Sequence, residues 1–190
     1  MASSASTTPA SATLANAQDQ FIALWGQMGS SWGIPRTMAE VHALLFITGR
    51  ALTTDDVMAR LHISRGNASM TLRSLVDWGI AARMHQRGDR KEYFSAEQDV
   101  WKLFRTILRE RKKREVDPML ESLKECRELT ASLASRRAVD PVAAEVQSHN
   151  RRLDDMMRFI KTVDAISERF IHPTSGKGLQ AAAKLLAKVS

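Results

Sequence analysis

Apolar positions recur three and four residues apart in one segment of this chain after another, the pattern of helices that each bury one face. In FIALWGQMGSSWG (21–33), Phe21, Trp25, Met28 and Trp32 fall on one stripe, and Ile34-Pro35 ends the run. RTMAEVHALLFITG (36–49) predicts a second helix, apolar at Met38, Val41, Leu44, Leu45 and Phe46 and closed by Gly49. LTTDDVMARLHIS predicts a short third helix that stops near His62. Its threonine followed by two aspartates suits a helix start, where a side-chain oxygen satisfies a free N–H and negative charge meets the positive end of the dipole. Ser64 caps a fourth helix, through Trp78, that closes at Gly79.

The period changes after residue 79. IAARMHQ and KEYFSA flank RGDR (87–90), and alternating character on both sides of a glycine-containing tip predicts a β-hairpin. Helical spacing resumes from Glu97 to Arg114, Pro118 marks a kink or restart, and LESLKECRELTASLASRR continues as helix. Asp140-Pro141 marks a break before a long final helix over 142–171. Val142, Val146, His149, Leu153, Met156, Ile160, Val163 and Phe170 make an apolar stripe along it.

Short helix, three-residue turn, helix and hairpin compose a helix-turn-helix with a wing. The expected fold is therefore mostly α: a winged helix-turn-helix with a small β-hairpin wing, plus long N- and C-terminal dimerisation helices. The expected boundaries are a disordered tail (1–16), an N-terminal helix (17–34), the winged helix-turn-helix (35–96), a helical region (97–172) and a C-terminal tail (173–190). A stripe on a 30-residue terminal helix has to be buried somewhere. A second copy of the chain is the simplest partner, the alternative being the chain's own 97–134 helices.

The start of the fourth helix, ISRGNASMTLRSL (63–75), carries the candidate chemistry. If Ala68, Leu72 and Leu75 face inward, Gly66, Asn67, Met70, Arg73 and Ser74 share the opposite face at 100° per residue. Glycine lets a DNA backbone or base edge come close. Asparagine pairs with adenine, arginine with guanine or phosphate, and methionine touches a thymine methyl. Ser64 and Arg65 stand at the helix start, whose free N–H groups suit a phosphate. At the hairpin tip, Arg87 and Arg90, with Lys91 beside them, suit a narrow minor groove. The alternative there is a polar turn in which Asp89 and Glu92 neutralise the cations. The basic run KLFRTILRERKKREVD reads either as further phosphate contacts or as a solvated helix face.

Composition agrees with double-stranded DNA as partner. The 190 residues carry a net charge of +7, which favours an anionic ligand. At 6% aromatic residues, the core rests on aliphatic side chains and methionine. One cysteine, Cys126, excludes an internal disulfide and a multi-cysteine zinc site. Five scattered histidines offer no metal-ligand spacing, TSGKG lacks the phosphate-loop pattern, and no nucleophile elbow stands out. Neither an enzyme, a cofactor nor a metal is expected. No apolar run approaches the ~18 residues of a membrane span. The Ser/Ala/Thr-rich start lacks the basic and apolar regions of a secretory signal, so a cytoplasmic protein is expected.

ISRGNASMTLRSLVDWGIAARMHQRGDRKEYF resembles the winged-helix core of GbsR/MarR-type bacterial transcriptional regulators, and FIALWGQMGSSWGIPRTMAEVHALL resembles the GbsR branch. The resemblance implies a homodimer on a palindromic operator, more often a repressor, with a small-molecule effector. In some GbsR-type regulators that effector is a quaternary ammonium compound held in an aromatic cage. Phe21, Trp25 and Trp32 are the candidate rings here. Gly26, Gly29 and Gly33 favour the structural alternative, a stripe buried by close helix approach. Nonspecific architectural DNA binding, or a winged helix that binds protein, remains open beside specific recognition.

Overall fold

The computed structural model describes residues 8–133 and 141–172; the expected C-terminal tail lies outside them. The chain divides into two compact units, Met1–Leu103 and Phe104–Ser190.

The first unit contains α1 (Pro9–Ser31), α2 (Arg36–Thr48), β1 (Leu52–Thr53), α3 (Thr54–Leu61), α4 (Arg65–Asp77), β2 (Ala81–His85), β3 (Glu92–Ala96) and the start of α5 (Val100–Arg111). α1 begins at Pro9, within the expected disordered tail. Thr8 caps it and proline occupies the first turn, where its missing N–H costs nothing. The following alanines are the strongest helix formers. Asp19 pairs with Arg60 of α3, whose guanidinium also donates to the Ala15 carbonyl at 3.4 Å.

α2 is the centre of this unit. Met38, Ala39, Val41, Ala43, Leu44 and Leu45 are all buried, and α1, α3, α4 and β3 all touch it. The approach of α1 requires glycine. A Cβ at Gly29 would lie 2.6 Å from the Ala39 Cβ, and one at Gly26 would lie 2.6 Å from the Glu40 Cγ. Gly33 has no such role: it is a turn residue at φ 75° with open space around it.

The wing is a three-stranded antiparallel sheet of order β1-β3-β2, one strand more than the hairpin expected. β1 pairs Leu52 with Phe94 and Thr53 with Tyr93, then turns directly into α3. Thr53 is its N-cap in a reciprocal capping box with Asp56. Phe94, Leu72, Leu75, Ala68 and Val57 complete the core around α2.

The second unit holds the rest of α5, a π-helical turn (Lys112–Val116), α6 (Asp117–Leu129), a 3₁₀ turn (Ala131–Leu133) and α7 (Pro141–Ile171). Where Pro118 suggested a kink or restart, the wider π turn carries the helix past a residue whose ring would crowd the carbonyl four positions back. α7 packs on α6 and the π turn through a row at spacings of three and four: Val146, Asn150, Leu153, Met157, Ile160, Asp164, Ser167 and Ile171. Its polar members have partners. Asn150 accepts from the Thr130 hydroxyl at 2.5 Å, and Asp164 holds Lys112 at 2.8 Å. That carboxylate, ahead of Asp117, raises the Lys112 pKa.

The stripe expected on this helix is in fact two. Val146, Leu153 and Ile160 face inward, whereas Met156, Val163 and Phe170 are exposed with Phe159 and Ile166 in a second row. The rows lie about 100° apart around the helix, and spacings of three, four and seven fit both.

His42 is the polar exception within α2. It is 3% exposed, its Nε2 has no hydrogen-bond partner among the described residues, and burial lowers its pKa from 6.5 to about 4. The unfolded chain therefore takes up a proton between pH 6.5 and 4 that the folded protein refuses, so stability falls as pH falls through that window. The total loss from this group is on the order of 3 kcal/mol. Urea unfolding across the window should show it, and His42→Phe should remove this part of the slope while leaving the carboxylate titrations at lower pH. An unchanged slope in the variant would contradict a buried neutral imidazole.

Candidate nucleic-acid interface

α4 is sharply two-sided. Ala68, Thr71, Leu72 and Leu75 are buried, and Gly66, Met70 and Arg73 face solvent. The Ser64 hydroxyl oxygen accepts from the Asn67 backbone N–H at 3.3 Å, which fixes the helix start. His62 adopts the left-handed conformation at φ 54° where α3 stops, and so turns the chain into α4. A Cβ at Gly66 would meet nothing within 4 Å, so the protein's own packing does not demand glycine there.

Two expected members of the exposed face are only half-exposed. Asn67 is tied inward, its side-chain oxygen accepting from Thr71 at 3.3 Å, and Ser74 is half-buried. Met70 is 61% exposed. Arg73 donates to the Ser69 carbonyl at 3.2 Å through Nε, which orients its stem along the helix. Arg65 forms an ion pair with Asp55 at 2.5 Å, so its charge at the positive end of α4 is offset by the first turn of α3.

The wing tip is organised by one carboxylate. Asp89 accepts from the Lys91 backbone N–H at 3.0 Å and from the Tyr93 hydroxyl at 2.7 Å, while its own N–H donates to the Gln86 carbonyl. Gly88, at φ 87°, supplies the turn that an L side chain would strain. The tyrosine hydrogen bond and then the Lys91 N–H hold the Asp89 carboxyl below its ordinary range. The same bond raises the Tyr93 hydroxyl. Glu92 pairs with Arg83 at 3.1 Å. Asp89 also feels the Lys91 charge through space, but Arg87, Arg90 and Lys91 make no ion pair among the described residues.

The basic run beyond the wing is largely paired. Lys102 pairs with Glu97, Arg111 with Glu115, Lys112 with Asp117 and Asp164, and Arg114 with Glu110. For these four residues the pairing is what a solvated helix face requires.

On α1 and α2 the aromatic rings form a chain of contacts. Phe21 and Trp25 stack at 5.7 Å, Phe21 and Phe46 at 6.3 Å, and His42 lies 6.1 Å from Trp25 and 6.2 Å from Phe46. Phe21, Trp25 and Phe46 are half-buried. Trp32 caps the end of α1 and is 59% exposed. His42 and Phe46, one turn apart on α2, were the ring partners not singled out from the sequence, although their spacing placed them on one face. Among the described residues no group of three or more His, Cys, Asp or Glu is placed to hold a metal ion. No helix among them is long and apolar enough to cross a membrane.

Residues 32–92 match the MarR family. The chain is similar to three proteins of Bacillus subtilis. With the putative HTH-type transcriptional regulator YvaV it shares 25% identity over 48% of this chain and 51% of that protein, so the match spans about half the relative's length. With the HTH-type transcriptional repressor OpcR it shares 20% over 80% and 81%. With the HTH-type transcriptional repressor GbsR it shares 25% over 62% and 64%. A crystal structure of a transcriptional regulator matches 80% of this chain and 99% of its own, at 15% identity and a TM-score of 0.46.

Tyr93 is the chain's one tyrosine, which makes the wing-tip bond measurable. Followed by ultraviolet absorbance, the tyrosine should titrate above 10.0, and Asp89→Asn should return it toward that ordinary value. A tyrosine that titrates alike in both proteins would mean that the Asp89–Tyr93 tie does not form.

Proposed function

We propose that this chain, which carries a MarR family domain over residues 32–92, is a cytoplasmic, sequence-specific DNA-binding transcriptional regulator of the GbsR branch. In this reading it is a homodimeric repressor that binds a palindromic operator with an affinity that a small effector alters. The observation that carries the reading is the joint surface of α4 and the wing. One helix shows Gly66, Met70 and Arg73 to solvent, and the neighbouring wing tip offers Arg87, Arg90 and Lys91, none of which makes an ion pair among the described residues. Ser64, Arg65, Asn67 and Ser74 complete the proposed contact set. The helix would lie in the major groove, with Met70 against a thymine methyl and Arg73 on a guanine or a phosphate. The wing cations would follow the backbone into the adjacent minor groove.

The effector proposed from the resemblance is a quaternary ammonium compound. Support comes from the half-buried faces of Phe21, Trp25 and Phe46 beside a His42 whose lowered pKa keeps it neutral at pH 7 and so without repulsion for a cation. Trp32, at the far end of α1, belongs to the proposed set only if the effector reaches that helix end.

Fluorescence anisotropy against the promoter upstream of the chain's own gene, beside a scrambled duplex, tests the DNA reading at about 150 mM salt. A regulator of this kind should prefer its site by about 10³ or more. Arg73→Ala and Asn67→Ala should flatten that ratio. Arg87→Ala with Arg90→Ala should weaken both duplexes and lower the salt slope by about 2. Gly66→Ala should keep the fold and lose operator binding. Equal, salt-sensitive binding to both duplexes would favour architectural attachment, and no binding to either would favour a protein partner.

Choline titrated to millimolar concentration should change tryptophan fluorescence in the native protein, and the change should vanish in Trp25→Phe. A flat response in both would remove the quaternary ammonium effector and leave the DNA reading standing.

A further inference from the structure

The outer row of α7 has a feature that a merely exposed apolar patch lacks. Met156, Phe159, Val163, Ile166 and Phe170 alternate spacings of three and four, the a and d positions of a coiled-coil seam, and are 39–64% exposed. One flank of the seam is used up, because its e positions are Ile160 and Ser167 of the inner row. The other flank, the g positions, carries Asp155, Thr162 and Arg169, all exposed. The next d position toward the N-terminus is an exposed arginine, Arg152. Two opposite charges therefore sit symmetrically about Thr162, and a cation sits at one end of a seam whose other end is a phenylalanine.

We propose that this seam pairs antiparallel with the same seam of a second copy, about a two-fold axis near Thr162. This deepens the homodimer reading above and rests on it. In antiparallel packing, a positions meet d positions and g meets g. Met156 then packs on Ile166 of the partner subunit, and Phe159 on the partner's Val163. Phe170 receives the partner's Arg152 over its ring face. Asp155 meets the partner's Arg169, and the two-fold makes that pair twice. Parallel pairing fails on the same residues. It sets Arg152 against its own copy and aligns Asp155 with the partner's Ile160, which already lies in the inner row. Sliding the antiparallel pair by one heptad sets Asp155 against the partner's Thr162 in one direction and past Ile171, the last residue of α7, in the other. One orientation and one register satisfy both the apolar and the charged positions.

Asp155 is held within its own chain by Arg158 at 2.8 Å, with both side chains well exposed. That competitor shapes the test. Sedimentation equilibrium of the full chain should give a dimer. Asp155→Arg and Arg169→Asp should each raise its dissociation constant at low salt by about tenfold, since two like-charge contacts replace two ion pairs of modest strength. The double variant should recover to within about twofold. In it the residue at 155 still repels Arg158, so recovery reads only the contact across the axis. Phe159→Asp should give a monomer with helical circular dichroism retained. A double variant as weak as the singles, or a Phe159→Asp protein that stays dimeric, overturns the seam and leaves the homodimer reading intact. A monomeric native protein removes both.

Discussion

The burial of α2 from Met38 to Leu45 is the constraint from which the first unit takes its form. A helix that is buried on nearly all sides must be apolar on nearly all sides, and every neighbour must come close to it. α1 meets that demand by presenting Gly26 and Gly29 where a methyl group would collide with Glu40 and Ala39. The sheet meets it with Phe94, and α4 with Leu72 and Leu75. His42 is the cost of the arrangement. Its ring fits the apolar surroundings only when neutral, and it lies between Trp25 and Phe46 with no hydrogen-bond partner for Nε2 among the described residues.

From that core follows the geometry of the exposed surface. Because α4 spends Ala68, Thr71, Leu72 and Leu75 on the interior, its exposed positions Gly66, Met70 and Arg73 are left to the surroundings of the protein. Met70 on that face is mostly exposed, and glycine at 66 costs helix stability without relieving any clash. Both make sense if another molecule approaches closely there. The wing repeats the logic with charge. Asp89 has its oxygens turned toward Lys91 and Tyr93 of its own turn, so the acid that the sequence places between two arginines shapes the tip and forms an ion pair with neither.

Local signals in the sequence proved the most legible. The caps at Thr53 and Ser64 depend on residues three apart, and both helices start there. The inner face of α4 followed from its period alone. What escaped depended on context. Ser, Ala and Thr before residue 17 read as a tail because their composition is that of disorder, yet Thr8-Pro9 is a cap followed by a favoured first residue, and Arg60 from another helix reaches back to Ala15. A two-residue strand such as β1 has no period to detect and exists only through its pairing with β3. Asn67 lay on the outward arc of the helical wheel, but a hydroxyl one turn later draws its side chain inward. The aromatic cluster was half visible: the α1 rings were plain, whereas Phe46 read as one more apolar position of α2 and His42 as one of five scattered histidines.

α7 shows why apolar spacing alone under-determines packing. Its inner seam contains Asn150 and Asp164, each answered by a specific partner, Thr130 or Lys112. Polar groups in a seam lower its stability relative to leucine, but they admit one register, because any slip leaves them buried and unpaired. The outer seam is apolar at every position from Met156 to Phe170 and has polar groups only at its flank and its N-terminal end. Apolar side chains tolerate a slip of one heptad, so its specificity falls to exposed charges, whose contribution is small and weakens with salt. The two seams are thus suited to different tasks. The inner one, fixed by part-buried polar pairs, holds the chain's own helices in register. The outer one, flanked by surface charge, suits the pairing between copies proposed above, which ionic strength would weaken.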